Sequence, residues 1–182
     1  MRHIKIIKSI SLIIVLFLIT SCSNNSAMKP EDFKNKEPRL IIEEYLSGNV
    51  KAWGVLQNRS GKVTRQFSAD LNGSWDGKQL ILNEKFNWDD GEIQNREWTI
   101  NKIDENNYEG TAGDVVGKAI GYSYGPAFKF EYVLLVPVKG KEMKITFDDW
   151  IFKQDDRVAI NRATMTKFGI KVAELTVVFV KD

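Results

Sequence analysis

The amino-acid sequence predicts an all-β domain, an antiparallel meander closed into a barrel and preceded by one short helix. Three observations carry this. Apolar and polar residues alternate with a period of two in run after run, the mark of strands with one buried face. The runs are short and separated by turn chemistry such as Asn72-Gly73 and Asp90-Gly91. One stretch alone, Leu40 to Leu46 with Gly48 beyond it, has helical character.

The strands follow in order. Lys51 to Gln57 contains Trp53 and Val55, and a turn at Asn58 to Gly61 leads to Val63, Arg65, Phe67 and Ala69. Leu80, Leu82, Glu84, Phe86 and Trp88 share one face; after a turn at Asp89 to Glu92, Arg96, Trp98 and Ile100 share another. Tyr108, Gly110 and Ala112 follow, then Phe128, Phe130, Tyr132, Leu134 and Val136. Lys139 to Lys141 turns into Ile145, Phe147, Asp149 and Ile151, and a strand around Val158 to Thr166 comes next. The last strand, Val172 to Val180, is apolar on both faces, which predicts burial on both sides. About nine or ten strands joined by hairpins make a closed meander, with a sandwich as the alternative.

The N-terminus carries a different message. Arg2, Lys5 and Lys8 precede an apolar stretch from Ile10 to Ile19, and small residues lead to Cys22. These are the parts of a secretory signal over residues 1–21, and the apolar stretch is shorter than the roughly 20 residues a membrane span needs. Ile19-Thr20-Ser21-Cys22 resembles a bacterial lipobox, whose Cys receives lipid. Acyl chains at Cys22 would anchor the protein at a membrane, each buried CH₂ contributing about 0.8 kcal/mol. Ser23, where an Asp tends to retain lipoproteins at the inner membrane, implies the periplasmic face of the outer membrane. Polar, aperiodic residues 22–38 read as a flexible tether, leaving 39–182 as the barrel domain.

Composition excludes several chemistries. Removing Arg2, Lys5 and Lys8 from the 26 basic residues leaves 23 against 24 acidic, a net charge near −1, so nucleic acid is not an expected partner. The single histidine, His3, lies in the signal, and Cys22 is the single cysteine. The mature domain therefore lacks the groups for a Ser-His-Asp triad, a Cys-His pair or a His- or Cys-ligated zinc site. Gly121-Tyr122-Ser123-Tyr124-Gly125 matches a nucleophile elbow in letters only, since no His exists to serve it. Asp89-Asp90-Gly91-Glu92 reads as a turn rather than a metal loop. Asp148 and Asp149 are strand neighbours and point to opposite faces, so they form no carboxylate dyad. Gly113, Gly117, Gly121 and Gly125 read as bends or tight corners. No catalytic residue, cofactor or metal is expected.

A further set of motifs spans the mature chain: Ala52-Trp53-Gly54, Gly73-Ser74-Trp75-x-Gly77, Leu80-x-Leu82-x-Glu84-x-Phe86, Arg96-x-Trp98, Tyr108-x-Gly110-x-Ala112-x-Asp114, Phe147-Asp148-Asp149-Trp150 and Met165-x-Lys167-Phe168-Gly169. Together they resemble the bacterial lipoprotein family known as domain of unknown function DUF3833. The resemblance implies a lipocalin-like domain and assigns no activity.

These readings favour a non-enzymatic domain that binds or carries a lipid or other amphipathic ligand. The alternative is a ligand-free structural or adaptor domain for an envelope partner. Parity selects the candidate site. Glu84, Arg96, Asp149 and Arg162 each fall on a face shared with apolar residues, and charge on a core face must be paired. They are expected to form an internal polar cluster, either as ion pairs that pin register or as a floor that orients a headgroup, the arginines suiting a carboxylate or phosphate. Replacing Cys22 by Ala is predicted to abolish incorporation of radioactive palmitate; a variant that still takes up label contradicts the lipobox reading.

Overall fold

The computed structural model describes residues 27–138 and 140–182. The expected signal, Cys22 and Ser23 lie outside them. Ten antiparallel strands form one closed ring: β1 (Gly48–Asn58), β2 (Val63–Trp75), β3 (Gln79–Trp88), β4 (Ile93–Lys102), β5 (Asn107–Thr111), β6 (Ala119–Tyr124), β7 (Ala127–Val138), β8 (Lys141–Lys153), β9 (Val158–Lys167) and β10 (Ile170–Lys181). Each strand pairs with its sequence neighbours, and β1 closes the ring on β10 from Val50 opposite Lys181 to Asn58 opposite Ala173. The meander thus closes as a barrel, not a sandwich. Closure pairs both end strands and leaves no free sheet edge.

The alternation read from sequence sets which side chains enter the barrel. Leu80 and Leu82 on β3, Trp98 and Ile100 on β4, Phe128, Phe130, Tyr132 and Leu134 on β7, and Ile145 and Phe147 on β8 are all buried. Two inward glycines make room for rings. A Cβ on Gly54 would lie 2.3 Å from the Phe67 ring, and one on Gly110 would lie 2.4 Å from that of Phe130. Any side chain at either position would displace an aromatic residue of the core.

The N-terminal segment closes one end of the barrel. The expected helix is a single turn, α1 (Ile42–Tyr45), and Leu40, Ile42, Tyr45 and Leu46 are buried. Burying four such side chains contributes roughly 1.5–3 kcal/mol each. Polar contacts hold this plug. Leu40 N–H donates to the Gly125 carbonyl at 2.8 Å, and Ser123 Oγ donates to the Leu40 carbonyl at 3.0 Å. Ser123, the residue in the false nucleophile motif, thus holds the plug in place. Glu43 accepts from Lys102 Nζ and, at 2.9 Å, from Tyr108 Oη. Burial pushes the Glu43 carboxyl up, but these bonds outweigh it and hold it below the usual range. Lys181 Nζ donates to the carbonyls of Glu44, Tyr45 and Ser47, satisfying groups that a helix end leaves without partners.

Two expectations need correction. Residues 30–38 are not a free tether: a 3-10 turn over Pro30–Phe33 packs on the barrel wall, with Phe33 5.5 Å from Phe152 and 6.0 Å from Trp150 between ring centroids. The apolar ring of Phe33 explains this, since docking on Trp150 and Phe152 buries Trp150 and shields part of the other two rings from water. The last strand is buried on one face only. Val177 points inward, while Val178 is 38% exposed because α1 caps the barrel end instead of covering β10.

Candidate functional site

The end opposite α1 is open. Its rim is formed by the turns β1–β2, β3–β4, β7–β8 and β9–β10 and by the segment between β5 and β6. Below it lies a cavity of about 270 Å³. Two aromatic walls face each other across this space. Phe67, Phe86 and Trp88 stand on β2 and β3, with Phe67 5.2 Å from Phe86 and 4.9 Å from Trp88. Trp98, Phe130, Tyr132 and Phe147 stand on β4, β7 and β8, with Tyr132 stacked on Phe147 at 5.0 Å. Leu56, Met165, Leu175 and Phe179 complete the apolar lining. At the mouth, the Arg65 guanidinium lies 4.0 Å from the Trp88 ring centroid and pairs with Asp90 at 2.7 Å and Glu92 at 2.9 Å. Val63, Val138, Phe168 and Ile170 add exposed apolar side chains to the rim, with Phe168 93% exposed.

A polar cluster is set into this apolar interior. Glu84 on β3 and Arg96 on β4 are direct cross-strand partners, with Arg96 Nη1 3.7 Å from Glu84 Oε2. The guanidinium is committed elsewhere: Nε and Nη2 donate to the Asp114 carboxylate at 3.1 and 2.8 Å. Asp114 reaches this place because its segment is pinned to β7, where Leu135 N–H donates to the Asp114 carbonyl at 2.9 Å. On the opposite wall, Tyr132 Oη donates to Asp149 Oδ2 at 2.8 Å and Asn161 Nδ2 donates to Asp149 Oδ1. Glu84 Oε2 is buried with no hydrogen-bond partner.

Three of the four residues expected in the cluster, Glu84, Arg96 and Asp149, enter the barrel. Arg162 does not. It lies on the outer wall, 65% exposed at its side chain and 3.3 Å from Glu174. The sequence reading grouped it with Ile160 and Thr164 on an inward face. The structure turns Ala159, Asn161 and Ala163 inward instead, with Met165 following on the same face. Asp148 faces outward, opposite to Asp149, and accepts from Trp150 Nε1 at 2.9 Å. Asp114, Tyr132 and Asn161 were missed. Parity did place Tyr132 inward; Asp114 sits in a segment with no periodicity to read, and Asn161 lies on the face assigned outward.

The electrostatics follow from burial. Burial pushes the Glu84 carboxyl up to about 7; Arg96 and the nearby Trp98 indole oppose this, while Asp149 and Asp114 reinforce it. Burial likewise raises Asp149, against the bonds from Tyr132 and Asn161, and raises Tyr132 well above its ordinary value. Burial would lower Arg96, but Glu84 and Asp114 more than compensate and hold it as a firm cation. Of the two roles expected of the cluster, ion pairs that pin register or a floor for a headgroup, the second would need arginines free to meet a carboxylate or phosphate. One of those arginines is outside, and the other is occupied by Asp114. Among the described residues, no group of three or more His, Cys, Asp or Glu is arranged to hold a metal ion.

The family described as Protein of unknown function (DUF3833) matches residues 16–181. The chain belongs to this family. No curated protein matches it. Among solved structures, the barrel is similar to the S-type phycobiliprotein lyase CPES from Guillardia theta, with a TM-score of 0.58 and 10% identity over 77% of this chain and 90% of that one. It is also similar to a protein of unknown function from the DUF3598 family of Nostoc punctiforme, with a TM-score of 0.60 and 14% identity over 81% of this chain and 51% of that one. At these identities the likeness establishes the fold, an all-β barrel of lipocalin-like build.

A pH dependence follows from Glu84. Its unfolded form ionises near 4.5, while the folded form keeps its proton to about 7. The folded state therefore binds more protons in that window, and stability falls as pH rises through it. We predict that Glu84→Gln removes this fall, gaining roughly 3 kcal/mol on the wild type above the window relative to below it. Chemical denaturation of both proteins across the window checks this; parallel pH profiles contradict it.

Proposed function

We propose that the protein is an envelope lipoprotein, held by lipid on Cys22 at the periplasmic face of the outer membrane, whose barrel binds an amphipathic ligand without transforming it. The observation that carries the binding half is the cavity of about 270 Å³, apolar along its walls and polar at one cluster. Such a space, with a few convergent polar groups in an aromatic lining, suits a small amphipathic molecule. The size bounds the ligand: it is smaller than a phospholipid, with one short chain or a compact ring system as its apolar part. The exposed rim of Val63, Val138, Phe168 and Ile170 supports entry of an apolar molecule through the open end. The likeness to a phycobiliprotein lyase supports a barrel interior that handles a ligand.

A second reading, an adaptor for an envelope partner, has one observation in its favour. Trp53 and Val178 are register partners on the outer wall and are 50% and 38% exposed. An apolar pair of this kind on an otherwise polar wall suits a protein contact.

The two readings separate in a binding experiment. The neutral fluorophore N-phenyl-1-naphthylamine brightens in apolar surroundings. We predict saturable binding of one molecule per barrel, and a loss of about tenfold or more in affinity for Ala52→Phe, which fills the cavity from β1. Absence of saturable binding, or binding unaffected in a folded Ala52→Phe protein, favours the adaptor.

A further inference from the structure

The chemistry of the polar cluster restricts the ligand further, given the binding reading above. Six charged residues line the cavity: Arg65, Glu84, Glu92, Arg96, Asp114 and Asp149. Four are acidic and two basic. Both cations are already engaged, Arg65 by Asp90 and Glu92, and Arg96 by Asp114. Arg65 Nε is buried without a hydrogen-bond partner, but its guanidinium already faces two carboxylates, which leaves little net charge to draw a third. The carboxylates are in the opposite position. Asp149 has partners on both oxygens, but Glu84 Oε2 has none, and the Glu84 side chain is only 11% exposed. A buried acceptor without a donor is costly, and more so when charged. A ligand that brings a donor relieves that cost, whereas a ligand carboxylate or phosphate adds a further negative charge to a site already in excess of them.

We infer that the ligand is an amphiphile whose polar end is a cationic hydrogen-bond donor, an amine or protonated N–H group, with Glu84 as its acceptor and the aromatic walls around its apolar body. Asp149 and Asp114, both in the lining, add long-range attraction for the same charge. Ionised Glu84 is disfavoured in the empty barrel by burial and by the neighbouring acids; a bound ammonium removes that disfavour, so binding will release a proton from Glu84.

Three competitors with one chain and three polar ends test this: decylamine, decanol and decanoate displacing N-phenyl-1-naphthylamine from the barrel near neutral pH. Decylamine is expected to displace the fluorophore at about tenfold lower concentration than decanol, with decanoate the weakest. In Glu84→Gln the advantage of decylamine over decanol shrinks to near unity; in Arg162→Met, on the outer wall, it stays. Calorimetry in buffers of different ionisation enthalpy will register proton release with decylamine and none with decanol. Decanoate competing as well as decylamine overturns the inference while leaving the binding reading intact. An advantage for decylamine that survives in folded Glu84→Gln overturns the role of Glu84. If the fluorophore does not bind and none of the three raises the melting temperature, the binding reading falls and the inference with it.

Discussion

The ladder between β1 and β10 is the contact on which the rest of the molecule depends. The two strands are the first and last of the sheet, and their pairing turns a meander into a ring. A ring of ten strands is wider than the eight that side chains fill most readily. The chain responds in two ways. It seals one end with Leu40, Ile42, Tyr45 and Leu46, and it crowds aromatic residues inward from β2, β3, β4, β7 and β8. What remains unfilled is the cavity. Open space in this barrel is thus a consequence of strand number, and its position follows from which end carries the plug.

The same closure explains the polar cluster. In a barrel the positions of Glu84 and Arg96 on the inner face commit them to the interior, and the pair is bearable only because Asp114 supplies a third member. The arrangement is asymmetric: Arg96 is satisfied and Glu84 is not. A purely structural ion pair would place both charges in direct contact, whereas here the guanidinium turns from its cross-strand partner toward a loop carboxylate. That leaves an acceptor inside an apolar chamber, where electrostatic interactions are strong and water is scarce.

Much of this was legible in the sequence, for a physical reason. Strand parity is strict, so Leu80, Leu82, Glu84, Phe86 and Trp88 could be assigned to one face from spacing alone, and Glu84 stood out as the charge among them. The same reasoning found Arg96 and Asp149. It failed at β9, where Ile160, Arg162 and Thr164 look as apolar as Ala159, Asn161 and Ala163. The choice there is fixed by the register of β9 with β8 and β10, which no local pattern encodes. It was silent at Asp114, because a segment outside the strands has no period, and its place is fixed by hydrogen bonds to β7. It overran the tether for the converse reason: a polar, aperiodic composition conceals one ring, Phe33, that docks on the barrel.

Glu84 is a buried acid that Arg96 balances only in part and whose Oε2 has no hydrogen-bond donor. Carbon-13 NMR of the side-chain carboxyl groups, with Glu84 assigned by the resonance missing in Glu84→Gln, measures this directly. The account predicts a midpoint near 7 in the empty barrel, moving down when decylamine is added. A midpoint in the ordinary range near 4.5, unmoved by the amine, would contradict it.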